Sequence, residues 1–310
     1  MPSCPIRPDP KLNSPWTLEN ALLAVLLAVT VLSVVHHARA SDTRLELVAL
    51  EVPDGACLFL RAPGGGKYLL EATSGGTQEK GDPRLAERVV LPFLYFERAL
   101  RLEGLLLSRP LAEHSGPAGQ LLRELAVAHV WAPPGREDQP SLAQLVAEQK
   151  GLPVTPVERG CLLRLSPLAT LEVLTPARPR FRGTADDPAN NSCAWRLVYG
   201  ALRVLVVPDL EAEGLRELAG SGQDLGCDIL VAPREGTEEA ACARLLAVAR
   251  PGLIIASRAS SGERKEPDSL AALAARFECK LVRTDIAGAV RLTTNGASWR
   301  LTTQAESRIQ

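Results

Sequence analysis

From Leu45 to Leu301 the sequence is broken into short apolar runs, which come first as hairpins and then in alternation with helical segments. That order limits the fold more than any other feature. LELVALEV, ACLFLRA and KYLLEA read as strands, the last two joined by Pro63-Gly64-Gly65-Gly66, a hairpin signal. Helical spacing runs over 84–99 and is interrupted at Pro92. LEGLLLS (102–108) reads as one buried strand, 119–127 as a helix and 128–131 as a strand. Ser141 caps a helix that reaches Lys150 and ends at Gly151. Strands are expected at 161–165, 171–174 and 194–198, and 203–207 closes a hairpin through Tyr199-Gly200. Farther on, helices 211–219, 238–249 and 268–277 lead to strands 228–231, 253–256 and 281–283, followed by 289–293 and 299–301. Such an order implies two mixed sheets with helices on their outer faces. A hairpin followed by an acid occurs twice, in APGGGKYLLEA and VYGALRVLVVPD, so Glu71 and Asp209 each end an apolar strand.

The first forty residues follow a different rule. Residues 1–20 hold five prolines and mixed charges, the composition of a tail without a core. ALLAVLLAVTVLSVV (21–35) then runs fifteen residues without a charge, about 22 Å as a helix against a hydrocarbon core of about 30 Å. Trp16 and the flanking residues bring it near a full span, with Trp16 suited to the headgroup zone. A transmembrane anchor over 21–40 is the expectation, with a single pass and residues 41–310 outside the cytoplasm. The rival is a signal peptide cut after Ala38-Arg39-Ala40. Asp9, Glu19 and the two histidines before that cut favour the uncleaved anchor.

Net charge is −1 and aromatic content 4 %, so neither an overall basic field nor a base-stacking surface is present to hold nucleic acid. Cys57, Cys161, Cys193, Cys227, Cys242 and Cys279 form no C-x-x-C pair, which excludes a zinc ribbon or thioredoxin-type site. Gly64-Gly65-Gly66-Lys67 lacks the Ser or Thr of a phosphate loop and lies between strands. No G-x-S-x-G occurs.

The ordered segments together resemble the C-terminal metallo-β-lactamase-like domain of the ComEC family of competence (DNA-uptake) proteins. The resemblance is carried over most of residues 45–303 by VALEVPDGACLFLRAPGGGKYLLEA, VVLPFL, LEGLLLSRPLAEHSG, NNSCAWRLVYGALRVLVVPDLEAEG, CDILVAPREG, RPGLIIAS and KLVRTDIAGAVRLTTNGASWRL. Residues 304–310 are left as a tail. The resemblance implies an αββα sandwich. In active members a pair of zinc or similar divalent ions between the sheets activates water against a phosphodiester, which needs several imidazole and carboxylate ligands.

On that resemblance the family's H-x-H-x-D-H motif falls on Arg109-Pro110-Leu111-Ala112-Glu113-His114, with only His114 kept. P-H-H-G falls on Pro233-Arg234-Glu235-Gly236, with both histidines replaced. The T-G-D aspartate is kept as Asp209, the early aspartates map to Glu51 and Glu71, and a later histidine maps near Glu266-Pro267. The inventory agrees without any family: past residue 40 the only histidines are His114 and His129, and His129 begins the strand AHVW. No cofactor is therefore expected. If any metal binds, His114 and Asp209 would hold it, or one hard cation would sit among Glu51, Glu71, Glu113 and Asp209. Arg109 and Arg234 would supply fixed positive charge where cations once sat, as an ion-pair network with Asp209 and Glu113.

Three functions follow as expectations. One is a membrane-anchored pseudo-enzyme that binds or scaffolds, with an unidentified protein partner. Another is a divergent metal-dependent phosphodiesterase or nuclease. The third is an anion site for DNA or another phosphate-bearing ligand, built from Arg109, Arg234, Arg264 and Lys265, the last two set in the polar run SSGERKEPDS.

Overall fold

The computed structural model describes residues 18–40, 42–52, 56–70, 85–109, 117–134, 151–207, 209–233, 237–257 and 269–307. They fall into two units, Met1–Asp42 and Thr43–Gln310. In the first, α1 (Leu18–Ala40) is a 23-residue helix. Leu22, Leu23, Leu26, Leu27 and Leu32 are each more than 60 % exposed. Among the described residues no helix is long and apolar enough to cross a membrane.

In the second unit, β1 (Leu45–Ala49), β2 (Leu58–Arg61) and β3 (Lys67–Leu70) form an antiparallel meander. Its second hairpin turns through Gly64 and Gly65, whose φ values of 86° and 87° suit glycine. A π-helical turn over Ala86–Val90 runs directly into α2 (Leu91–Phe96). The helix thus continues through Pro92 instead of breaking there. Leu91 N–H reaches back five residues to Ala86 O, and this widened turn absorbs the proline that lacks an N–H.

The expected single strand 102–108 is two. Arg101–Leu102 (β4) pairs with Ala126–Val127 (β6), whereas Gly104–Leu106 (β5) lies beside β3. Glu103 marks the break: its carboxylate accepts the Lys67 N–H at 2.6 Å. Gly104 is forced, since a Cβ there would lie 2.2 Å from the Trp131 ring. The expected helix 119–127 is α3 (Pro117–Glu124), cut short because Ala126 and Val127 join β4. Val130–Ala132 (β7) and Val154–Pro156 (β8) extend the sheet in parallel. The expected helix 141–150 lies outside the described residues.

The second half repeats the plan. Leu162–Arg164 (β9), Ala169–Val173 (β10), Trp195–Tyr199 (β11) and Leu202–Val206 (β12) are antiparallel, with α4 (Asp187–Asn190) between β10 and β11. Ile229–Val231 (β13), Leu253–Ala256 (β14) and Lys280–Arg283 (β15) follow in parallel. Between them run α5 (Ala212–Gly220), α6 (Glu239–Ala249) and α7 (Ser269–Arg276). Beyond the short α8 (Thr284–Ala287), Val290–Thr294 (β16) and Trp299–Thr303 (β17) return to β1, and α9 (Gln304–Ser307) follows.

The result is an eight-stranded sheet, β17-β16-β1-β2-β3-β5-β7-β8, and a seven-stranded sheet, β15-β14-β13-β12-β11-β10-β9. Alternate residues of both sheets, among them Leu47, Leu58, Leu60, Leu171, Trp195 and Val204, fill the space between them. The opposite face of the first sheet packs on α2 and α3 through Phe59, Leu69, Leu94 and Leu121. That of the second packs on α5, α6 and α7 through Leu205, Leu215, Leu245 and Leu273. These are the four layers of the αββα sandwich.

Candidate functional site

Pairing directions decide where the candidate residues lie. In the first sheet β1, β3 and β5 run the same way, so their carboxyl ends share one rim. In the second, β12, β13 and β14 do likewise. Glu51 follows β1, Ser108 and Arg109 follow β5, and Asp209 follows β12. In the sequence Glu71 follows β3 and Arg234 follows β13, both outside the described residues. Carboxyl ends of parallel strands are where open α/β sheets place ligands.

Three contacts join the two rims. Ser108 Oγ donates to Asp209 Oδ2 at 2.6 Å. Cys193 N–H donates to Ser108 O at 2.7 Å. Ser257 Oγ donates to Leu50 O at 3.0 Å, which places the loop after β1 beside the end of β14.

Asp209 is the centre of this rim, with its side chain fully buried. Arg109 Nε stands 3.2 Å from Asp209 Oδ2, and Arg109 Nη1 is 4.0 Å from Asp186 Oδ2. The Asp209 pair is coulombic and not a well-aligned hydrogen bond, since Arg109 Nε and Nη2 donate to no acceptor. Asp209 Oδ1 is likewise buried and accepts no hydrogen bond among the described residues. The ion-pair network expected from the resemblance is therefore present in its Arg109–Asp209 part, with Asp186 as an unforeseen second acid. Arg234 and Glu113 lie outside the described residues.

The loop before β11 braces this arrangement. Asn190 accepts from Gly214 N–H at 2.8 Å and donates to Glu213 at 3.0 Å. Asn191 accepts from Phe181 N–H at 2.9 Å and donates to Phe181 O at 2.9 Å. Thr175 Oγ1 donates to Ser192 O at 2.7 Å. Asp186 caps α4 by accepting from Ala189 N–H at 2.9 Å. Both asparagines thus tie down the loop over the rim.

Sequence reasoning missed Ser108 and Asp186. The signal for Ser108 was a hydroxyl ending an apolar strand directly before Arg109. Asp186 offered none beyond Asp-Asp-Pro, a helix start. His114, Glu266, Arg264 and Lys265 lie outside the described residues. Among the described residues no group of three His, Cys, Asp or Glu side chains converges on a point.

The described residues do not fit a two-zinc centre. Arg109 sets a fixed positive charge 3.2 Å from Asp209 Oδ2, and Ser108 Oγ donates to that same oxygen. His129 stands at the amino end of β7, the opposite rim to the carboxyl end of β5. There its Nε2 lies 2.7 Å from Thr155 Oγ1 and its ring stacks on Trp131 at 4.3 Å. Of the two histidines past residue 40, only His114 is left for the Asp209 rim.

No family model matches the sequence. ComE operon protein 3 of Bacillus subtilis (strain 168) is 26 % identical over 262 residues, which is 79 % of this chain and 32 % of the relative. Competence protein ComA of Neisseria gonorrhoeae is 31 % identical over 116 residues, 37 % of this chain and 17 % of the relative. The chain spans a third or less of either relative's length. In fold it is similar to CmlA, a diiron β-hydroxylase from Streptomyces venezuelae (TM-score 0.52, 13 % identity, 80 % of this chain and 54 % of that one). It is also similar to Igni18, a metallo hydrolase from Ignicoccus hospitalis (TM-score 0.50, 9 % identity, 79 % and 98 %). With the segment order, the four layers and these relatives in agreement, the globular unit is similar in sequence to the ComEC-family competence proteins and in fold to metallo-β-lactamase-like proteins.

Proposed function

We propose that the chain is a membrane-held, catalytically silent member of the competence-related metallo-β-lactamase fold. It binds or scaffolds a partner in DNA uptake in place of hydrolysing a substrate. The observation that carries this is Arg109 at 3.2 Å from Asp209. A guanidinium stands where the resemblance puts a metal ligand, and it neutralises the carboxylate without needing a cation. Removing either charge from such a buried pair leaves the other uncompensated, which costs several kcal/mol. The exposed leucines of α1 support membrane attachment, either in the plane of the bilayer or as part of a span that includes its flanks. Arg109 itself faces two carboxylates, Asp209 and Asp186, so it is a poor anchor for an anion.

The deciding experiment is metal analysis of the purified full chain, together with phosphodiesterase and nuclease assays in zinc, manganese and magnesium. Silence predicts less than one tightly held divalent ion per chain and no metal-dependent turnover. The second reading, a divergent metal-dependent phosphodiester hydrolase, is favoured by Asp209 Oδ1, which accepts no hydrogen bond among the described residues. It predicts metal-dependent activity that both Asp209→Ala and His114→Ala abolish.

A further inference from the structure

Tyr95, Phe96 and Leu100 are 52 %, 82 % and 50 % exposed, a group of large apolar side chains at the end of α2. Aromatic residues are scarce in this chain, and Phe59, Tyr68, Trp195 and Tyr199 are buried. Leaving a phenylalanine in water forgoes roughly 2 kcal/mol of burial. Arg98 closes the helix in the left-handed region at φ 50°, and Ala99 N–H bonds Leu94 O at 2.7 Å, so the turn projects the group outward.

The charges around the group are unevenly committed. Glu97 is drawn inward, 2.7 Å from Arg61 and 2.5 Å from Arg291, and its side chain is 8 % exposed. Glu103 accepts the Lys67 N–H, and Glu87 accepts from Gln120 at 2.8 Å. Arg98 and Arg101 are exposed, and neither enters an ion pair among the described residues. The outward face therefore combines two aromatic rings, a leucine and two guanidinium groups without an ion pair among the described residues.

Its charge indicates the occupant, since exposed Arg98 and Arg101 beside large apolar side chains complement an anionic surface with an apolar interior. The two arginines that hold Glu97 also pair with Glu46, the second residue of β1. The group thus lies beside the point where β1 begins.

We propose that Tyr95, Phe96 and Leu100, flanked by Arg98 and Arg101, form a second membrane contact that seats the globular unit on an anionic bilayer. This rests on the reading that α1 is membrane-held. Rings at headgroup depth and arginines on acidic lipid suit each other chemically.

The test uses the full chain carrying Phe96→Trp, compared with the parent chain in phosphatidylglycerol vesicles with and without brominated acyl chains. Flotation of the same samples reports attachment. The expected result is flotation, with the added tryptophan emission shifted to the blue and lost to bromolipid, and weaker loss when Arg101→Gln is added. Flotation without quenching of that emission overturns the docking and leaves attachment by α1 standing. Failure to float overturns both. A blue-shifted emission already present in lipid-free detergent, in a dimeric chain, shows a second copy on the patch and also overturns it.

Discussion

Asp209 receives a hydroxyl from Ser108 and a guanidinium from Arg109, both on one oxygen, inside a fully buried environment. Arg109→Ala would strand that carboxylate, and we expect a loss of about 3–5 kcal/mol in chemical denaturation. The double variant with Asp209→Asn should recover much of this, and a strictly additive cycle would show that the two groups do not interact. Thiols offer another check at this scale. Burial pushes Cys227 up to about 12 and Cys242 up to about 11. Both should resist iodoacetamide at mildly alkaline pH in the folded chain and react once it is unfolded, as peptide mapping would show. The Arg109–Asp209 pair was legible in the sequence because the resemblance implied motif positions for both residues. Ser108 was not, since a hydroxyl at a strand end has many uses, and only the folded rim shows which applies.

At the scale of elements, the hairpins were the easiest to read. Their glycines serve defined geometries: Gly200 has φ 58°, and a Cβ there would lie 2.3 Å from Gly296 O. Gly200→Ala should therefore cost at least about 1–3 kcal/mol and lower Tm measurably. The π turn before Pro92 was read as a break, because a proline alone does not show whether the preceding turn can widen. β8 was not foreseen, since Val-Thr-Pro is too short and too polar to stand out. The run 102–108 is continuous in hydropathy, and its division into β4 and β5 depends on Lys67 reaching Glu103 from another strand. His129, between β6 and β7, is held below its ordinary value by burial. The unfolded chain therefore takes up a proton near pH 6.5 while the folded chain resists, so stability should fall as pH drops through and below that value. His129→Gln should flatten this part of the profile when denaturation midpoints are compared at about pH 7.5 and about pH 5.5.

At the scale of the molecule, two sheets of similar plan face each other, and hairpin order followed by βα alternation was enough to anticipate them. What the pattern did not give is which strands lie together across long separations. Leu45 on β1 pairs with Thr294 on β16, and β17 lies outside β16. The first strand to leave the ribosome must therefore wait for nearly the last before its outer edge is closed. Until Thr303 has emerged, β1 and the meander it starts present an open, apolar border to the cell, and such borders invite mispairing. Arrival of β16 and β17, more than any earlier event in synthesis, should be the moment at which this domain becomes safe from its neighbours.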